Sequence, residues 1–510
     1  MTSLSSSIET LFALTTIASQ LLLTQQELEV VSKELSPNLA APKLQPSPPF
    51  TNVAQMPTIT LPQGTYTGAT TTSDNKGKIN YYHNIPYAQP FSRFQPPQPI
   101  QPVSNPDNVI DATHFGPICP QNPSRLESYI YGPWPTPPNG GEADERGCGV
   151  LSVYQPENGG GERELLPVIV YAHGGAWQTG SSQINWYTGT ALARDGECVV
   201  VTINYRCGVL GFLHQPSNPT TTNSNTTDEL ALGNQDHILA LEWVRVNVQA
   251  FGGDPENVTA AGQSAGAYNT QLLFDVRPDL FRRAIIMSSP ADMTFSPEDA
   301  GKVTETVKAS LPEGKTLESA TVEELLVAQA AATKAHGGPA QFAPVARDGG
   351  GPIGTRREMA KGEGKDVLVT WTQHDGSAFA ALSQGPSTTS KDELSVKLTN
   401  ALFKEPSIRL AERLNKAGHR VVTLEHQWSP EGYKLGATHC VDLPLVLGDF
   451  GAWSKAPIHG TSTEEEWDRR GKVIREAFGR FARDGTVPGT VEGTSIEKLR
   501  RCGSMFLAEA

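Results

Sequence analysis

Short apolar runs that break off at glycine or polar residues constrain this chain more than any other feature. "LPVIVYAHGG" (166–175) and the valine-rich "ECVVVTINYR" (197–206) read as buried strands, and "RRAIIMSS" (282–289) and "DVLVTW" (366–371) as further short ones. Between them lies "HILALEWVRVNVQAFGG" (237–253), where helical spacing puts Leu239, Trp243, Val246 and Ala250 on one face and Gly252 and Gly253 end the helix. Strands that alternate with helices predict an α/β fold, a mostly parallel central sheet with helices on both faces. Ligands of such sheets bind beyond the carboxyl ends of the strands, so reactive residues are sought there.

The rest of the chain narrows the field. Its net charge is −13 and it has no dense basic stretch, which argues against nucleic acid or an anionic membrane as partner. No apolar run approaches the roughly 20 residues needed to span a bilayer. Residues 1–36 carry Leu14, Leu21, Leu28 and Leu35 at a heptad spacing and read as an N-terminal amphipathic helix. Docking on the protein's own body is its first reading, a homodimer contact its second. The prolines of residues 37–57 make an extended connector, and residues 58–510 are the α/β domain. The opening residues lack Lys and Arg and make a poor secretory signal, so an intracellular protein is expected. None of the six cysteines forms a C-x-x-C pair, so neither a zinc nor a redox motif is indicated, and Cys198 and Cys207 read as buried small hydrophobes.

One short motif carries chemistry. "AAGQSAGAYNT" (260–270) contains G-x-S-x-G, which marks a sharp turn from strand to helix with Ser264 at its apex and glycines where a Cβ would collide with backbone. A serine hydroxyl needs a base to take its proton, a third group to orient that base, and donors for an oxyanion. "YAHGGAW" (171–177) follows a strand and offers the amides of Gly174 and Gly175, with Ala265 a third, whereas His173 reads as structural. The base candidate is His439 in "LGATHCVDLPLVLGD", and the acid candidate is Asp375 in "LVTWTQHDGSAF". His374 also fits as base on spacing, but neighbouring residues at a strand end point different ways, so His374 and Asp375 cannot both face Ser264.

Taken in order, these segments resemble the type-B carboxylesterase/lipase family, to which the cholinesterases belong. The resemblance runs from about residue 58 to about 490 and includes "IPYAQPFSRFQPPQP" (85–99), "FGPICPQ" (115–121), "VVVTINYRCGVLGFL" (199–213), "LALEWVRVNVQAFGGDPENVT" (239–259), "AGQSAGA" (261–267) and "GATHCVDLPLVLG" (436–448). It implies an α/β-hydrolase fold and hydrolysis of carboxylic esters by Ser264, His439 and an acid. It also implies an oxyanion hole from Gly174, Gly175 and Ala265, and no metal or organic cofactor. The substrate expected is a neutral or apolar ester, lactone or thioester. The same acyl-enzyme could pass its acyl group to an alcohol or amine. A non-catalytic binding module would be marked by loss of the serine or histidine, and both are present.

Departures from the family pattern add expectations. Asp375 stands where the family usually has Glu, and Asn269 where it has a buried serine supporting the acid, so Asn269 is expected to brace the shorter Asp375. Should Asp375 not be the acid, Asp348 and Asp366 come next. Gln263 replaces the Glu common before the serine, which removes a negative charge and argues against a choline-like cation. The stretches 290–366 and 376–438 look short, so the family's pocket shape does not carry over. The family's first disulfide maps onto Cys119 and Cys148 and belongs to oxidising compartments. The sequons at Asn225 and Asn257 add little.

Overall fold

The computed structural model describes residues 56–487, except 72–76, 105–108, 135–140, 158–163, 215–229, 294, 338–340, 346–363 and 449. The expected N-terminal helix and nearly all of the connector lie outside the described residues, as do Asp348 and Asn225.

Twelve strands are formed among the described residues. β1 (Thr58–Leu61), β2 (Gly64–Thr67) and β5 (Val109–Asp111) make a small sheet. The nine-stranded main sheet contains β3 (Ala69–Thr70), β4 (Ile79–Pro86), β6 (Val150–Pro156), β7 (Leu166–Ala172), β8 (Val199–Ile203), β9 (Gly253–Gln263), β10 (Arg283–Met287), β11 (Asp366–Thr372) and β12 (Arg420–His426). Its order is β12-β11-β10-β9-β7-β8-β6-β4-β3. The six strands from β12 to β8 are parallel, and β6, β4 and β3 extend the sheet antiparallel. The expected parallel sheet is therefore present, with an antiparallel edge.

The central strands are buried along nearly their whole length because apolar layers cover both faces. Val168, Val170, Val199 and Val201 belong to one core, with Trp243 and Tyr268, whereas Ile169, Tyr171 and Val200 belong to the other, with Phe478 and Trp453. Period-two side-chain alternation sends neighbouring residues of one strand into opposite cores, which explains runs that are apolar throughout.

Helix α1 (Thr190–Gly196) packs on the long α7 (Glu464–Asp484). Between them in sequence come α2 (Leu232–Asn247), α3 (Ala265–Val276), α4 (Val322–His336), α5 (Ser377–Gln384) and α6 (Glu405–Lys416). The buried face of α2 differs from the expected one. Trp243, Val244 and Asn247 point inward, while Val246 is 71% exposed and Ala250 is exposed in the following 3₁₀ turn. The helix ends at Asn247, so a single helical wheel extended to residue 253 misassigns the last turn. At its other end, Asp236 receives the Nε and Nη2 of Arg206 at 2.9 and 2.7 Å in a fully buried pair that fastens the segment after β8 to this helix.

Candidate active site

The turn around Ser264 forms because β9 stops at Gln263 and α3 starts at Ala265 with one residue between. Ser264 takes φ 56° and ψ −121°, and its N–H donates to Met287 O at 2.9 Å. The positive φ is strained for a residue with a Cβ, and strain of this kind is held in place by the structure around it. Both flanking glycines are required. A Cβ on Gly262 would lie 2.4 Å from the carbonyl of Gly266, and one on Gly266 would lie 2.1 Å from Ala172 O at the end of β7. The close packing of α3 on the strand end leaves Ser264 9% exposed, at the edge of a cavity.

Asp375 follows the end of β11 and is fully buried. Its Oδ1 lies 2.6 Å from Nδ1 of His439, and its Oδ2 accepts from Ser288 Oγ at 2.7 Å and from the Thr372 N–H at 2.8 Å. A carboxylate accepts only, so Nδ1 of His439 carries the proton and Nε2 is turned toward the cavity side. That Nε2 sits 3.2 Å from the Gln263 side-chain amide. The rings of Phe379 and Phe403 pack on the imidazole with centroids 5.3 and 4.6 Å away. Burial by itself disfavours a charge on His439. The Cys440 sulfur and the Asp375 carboxylate act the other way and prevail, so the imidazolium is favoured relative to free histidine.

His374 has a structural task. Its N–H donates to Ala437 O at 2.8 Å and its Nδ1 accepts from the Ala437 N–H at 3.1 Å, which pins the loop carrying His439 to the end of β11. Burial lowers its pKa. Asp366 is equally occupied elsewhere, in a buried ion pair with Arg283 and a second pair with the exposed Arg420.

The expected bracing of Asp375 by Asn269 is corrected by the geometry. Asn269 Oδ1 accepts from Trp177 Nε1 at 3.0 Å and from Asn234 Nδ2 at 2.8 Å, on the α2 side of the sheet. One turn into α3, its side chain faces the glycine segment, and Ser288 at the end of β10 supplies the hydroxyl instead. Ser288 escaped sequence reasoning, although its place just past a strand's carboxyl end was a usable signal.

The segment Gly174–Trp177 closes against Ser264. A Cβ on Gly174 would be 3.1 Å from Ser264 Cβ and 2.6 Å from Gln263 Oε1, and Gly175 has φ 117°. Ala176 and Trp177 also take positive φ, at 53° and 60°. Trp177's bond to Asn269 holds this unusual backbone in place. Ala265 opens α3, so its N–H is one of the helix's unpaired first donors. His173 is structural as expected. It is buried, its ring stacks on Tyr205 at 4.2 Å, and burial drops its pKa to about 4.

The expected Cys119–Cys148 disulfide is absent, and both residues are free buried thiols. The thiols of Cys119, Cys148 and Cys207 are directed at the backbone carbonyls of Pro120, Glu145 and Tyr205, and the Cys207 N–H reaches the Cys119 sulfur at 3.2 Å. A further residue missed in the sequence is Asp442, whose carboxyl is buried near the Asp375–His439 pair. Burial, then repulsion from Asp375, raises it to about 7.

Two connected cavities meet at this point. One, of about 380 Å³, is lined by Ser264, His439, Phe379 and residues of α4. The other, of about 330 Å³, is lined by Gly174, Gly180, Trp134, Trp186 and Tyr187. Tyr131, Gly175 and Thr179 line both.

Comparison with known proteins identifies the family and the fold. Residues 55–396 match the profile described as the Carboxylesterase family. The chain belongs to the carboxylesterase family. It is 32% identical over 458 residues to the probable N-octanoylanthranilate hydrolase AqdA2 of Rhodococcus erythropolis, covering 84% of this chain and 93% of that one. It is 39% identical over 227 residues to the para-nitrobenzyl esterase of Bacillus subtilis (strain 168), covering 44% and 42%. A solved structure of a PNB esterase superposes with a TM-score of 0.66 at 27% identity, covering 86% of this chain and 92% of that one. The fold is the α/β-hydrolase fold, and the protein is a carboxylesterase-family hydrolase. Among the described residues no helix is long and apolar enough to cross a membrane, and no group of three or more His, Cys, Asp or Glu could hold a metal ion.

Proposed function

We infer that this carboxylesterase-family protein hydrolyses a carboxylic ester through an acyl-enzyme, with Ser264 as nucleophile, His439 as base and Asp375 as the acid that orients it. The observation that carries this reading is the 2.6 Å contact between His439 Nδ1 and Asp375, made where His439 and Ser264 line the same cavity.

In the first step the Ser264 hydroxyl gives its proton to His439 Nε2, and its oxygen attacks the substrate carbonyl carbon. The carbonyl oxygen becomes an oxyanion, stabilised by N–H groups of Gly174, Gly175 and Ala265. His439, now an imidazolium held by Asp375, protonates the leaving alcohol as the carbon–oxygen bond breaks. Water then repeats the sequence on the acyl-serine, releasing the acid and restoring Ser264. The upward push on His439 favours the imidazolium these steps pass through. Gln263, neutral and beside Nε2, adds no negative charge for a cationic substrate. The relatives' names extend the candidates to para-nitrobenzyl esters and N-acylated anthranilates.

The test is labelling by a fluorophosphonate, with the modified peptide identified by mass spectrometry. Modification at Ser264, blocked in Ser264→Ala together with hydrolysis of p-nitrophenyl esters, is the expected result. Label on another residue would reject the assignment.

A further inference from the structure

The two cavities at the site differ in charge. Of the described side chains lining the one that holds Ser264 and His439, those with a fixed charge are Arg125 and Lys334, both cationic and both exposed. They come from different elements. Arg125 lies in the loop 122–126, and Lys334 in the last turn of α4. The two are joined, since Asn122 Nδ2 donates to Leu326 O of α4 at 3.0 Å. Thr333, one residue before Lys334, donates to Gln178 Oε1 at 3.1 Å, which ties this end of α4 to the glycine segment. The second cavity has one fixed charge in its lining, the acid Glu127, among aromatic residues.

This asymmetry runs against the molecule as a whole. The chain's net charge is −13, so two cations lining the cavity that holds Ser264, with no carboxylate among its described lining, make a local reversal of sign. Field lines concentrate in a concave site with low-dielectric walls, and an anion is drawn there while Glu127 repels it from the neighbouring cavity. A carboxylate offers the planar acceptor pair that a guanidinium recognises, and an ammonium adds a second contact.

We propose that the preferred substrates carry an ionised acid group on the part that occupies this cavity, held by Arg125 and Lys334, while the uncharged part occupies the aromatic cavity. The proposal deepens the esterase reading above and rests on it for the position of the scissile bond. It replaces the expectation of a neutral substrate with that of an acid-bearing ester or N-acyl compound.

The experiment uses two matched pairs of ligands on the full chain. One pair bears the charge on the acyl side, p-nitrophenyl hydrogen adipate against p-nitrophenyl hexanoate. The other bears it on the leaving group, meta-butanoyloxybenzoate against its uncharged benzamide. Binding is measured by calorimetry to Ser264→Ala, which needs no turnover, and kcat/KM is measured on the unaltered protein. In at least one pair the anion is expected to bind, and to be turned over, about tenfold better than its neutral partner. Added salt should shrink that preference. Arg125→Ala and Lys334→Ala should each reduce the anion-to-neutral ratio several-fold, acting through KM, and Lys334→Glu should invert it. Arg125→Lys and Lys334→Arg should retain most of it. Equal binding of both members of both pairs, or ratios insensitive to Lys334→Glu, would overturn the proposal while Ser264-dependent hydrolysis of the neutral esters left the esterase reading intact. Charge-selective binding without turnover of any ester would do the reverse.

Discussion

At the scale of single residues, the site depends on how one carboxylate is satisfied. Asp375 accepts from Ser288, Thr372 and His439, and Asn269, the brace the sequence suggested, is not among its donors. Ser264→Ala is expected to lower kcat/KM on the order of 10³-fold or more with little change in melting temperature, since it removes one oxygen from a cavity wall. Ser288→Ala should cost about 10- to 150-fold, because a hydrogen bond to a charged group contributes about 1.5–3 kcal/mol. In a double-mutant cycle with Asp375→Asn the Ser288 effect should shrink, whereas Asn269→Ala with Asp375→Asn should be additive. Additivity for Ser288 and coupling for Asn269 would restore the pairing read from the sequence. The pH profile gives an independent check. The carboxylate raises His439, and the base works only when neutral, so activity is lost as pH falls through its pKa. Asp375→Asn removes part of the raising influence, so the acidic limb of kcat/KM should move to lower pH while the plateau drops. Cys440→Ala should move the limb in the same direction.

At the scale of elements, precision comes from contacts with no room for change. The α3 N-terminus sits on the end of β7 because Gly266 has no Cβ, so Gly266→Ala must push helix and strand apart. Overpacking of this kind costs about 1–3 kcal/mol, and the displacement should take activity with it. Loss of stability without loss of activity would show that the helix start tolerates the shift. The Arg206–Asp236 pair does for α2 what Gly266 does for α3. Its Asp236→Asn variant leaves a buried guanidinium without its counter-charge and should lose about 3–5 kcal/mol in urea unfolding. A loss under about 1 kcal/mol would mean that water or Gln95, whose carbonyl accepts from Arg206 Nη1, compensates the charge.

For the whole molecule, burial of titratable groups ties stability to pH. The folded state holds a proton on Asp442 more tightly than the unfolded chain, with a pKa of about 7 against an ordinary 3.8. Folding stability from this group is complete below the ordinary value and is lost as pH rises through about 7. A difference of this size corresponds to on the order of 4 kcal/mol. Asp442→Asn should therefore stabilise the protein more at pH 8 than at pH 5, seen as melting temperatures at the two values. An equal gain at both would remove Asp442 from the account of pH dependence.

How far the residues alone reached, and where tertiary contacts took over, follows from the range of each interaction. The strands from β7 to β11, the turn at Ser264 and the glycines around it were legible because they are local. A glycine without room for a Cβ, or a run apolar at every position, leaves its mark within a few residues. His439 and Asp375 were legible through motifs in a consistent order. What the sequence could not carry was which side chains meet across the sheet. Asn269 and Ser288 both sit near strand ends, and only the packing of α3 beside α2 turns the first toward Trp177 and leaves the second against Asp375. Val246 and Ala250 continue the apolar spacing of α2, yet Val246 lies on the exposed side of the helix and Ala250 falls after Asn247, where the chain has changed its helical pitch. Cys119 and Cys148 match a bonded pair by position, but both thiols are free, with backbone carbonyls as their acceptors and the Cys207 N–H on the Cys119 sulfur. The same holds for Arg125 and Lys334, 209 residues apart in sequence, which share a cavity only because α4 folds back over the loop at Asn122.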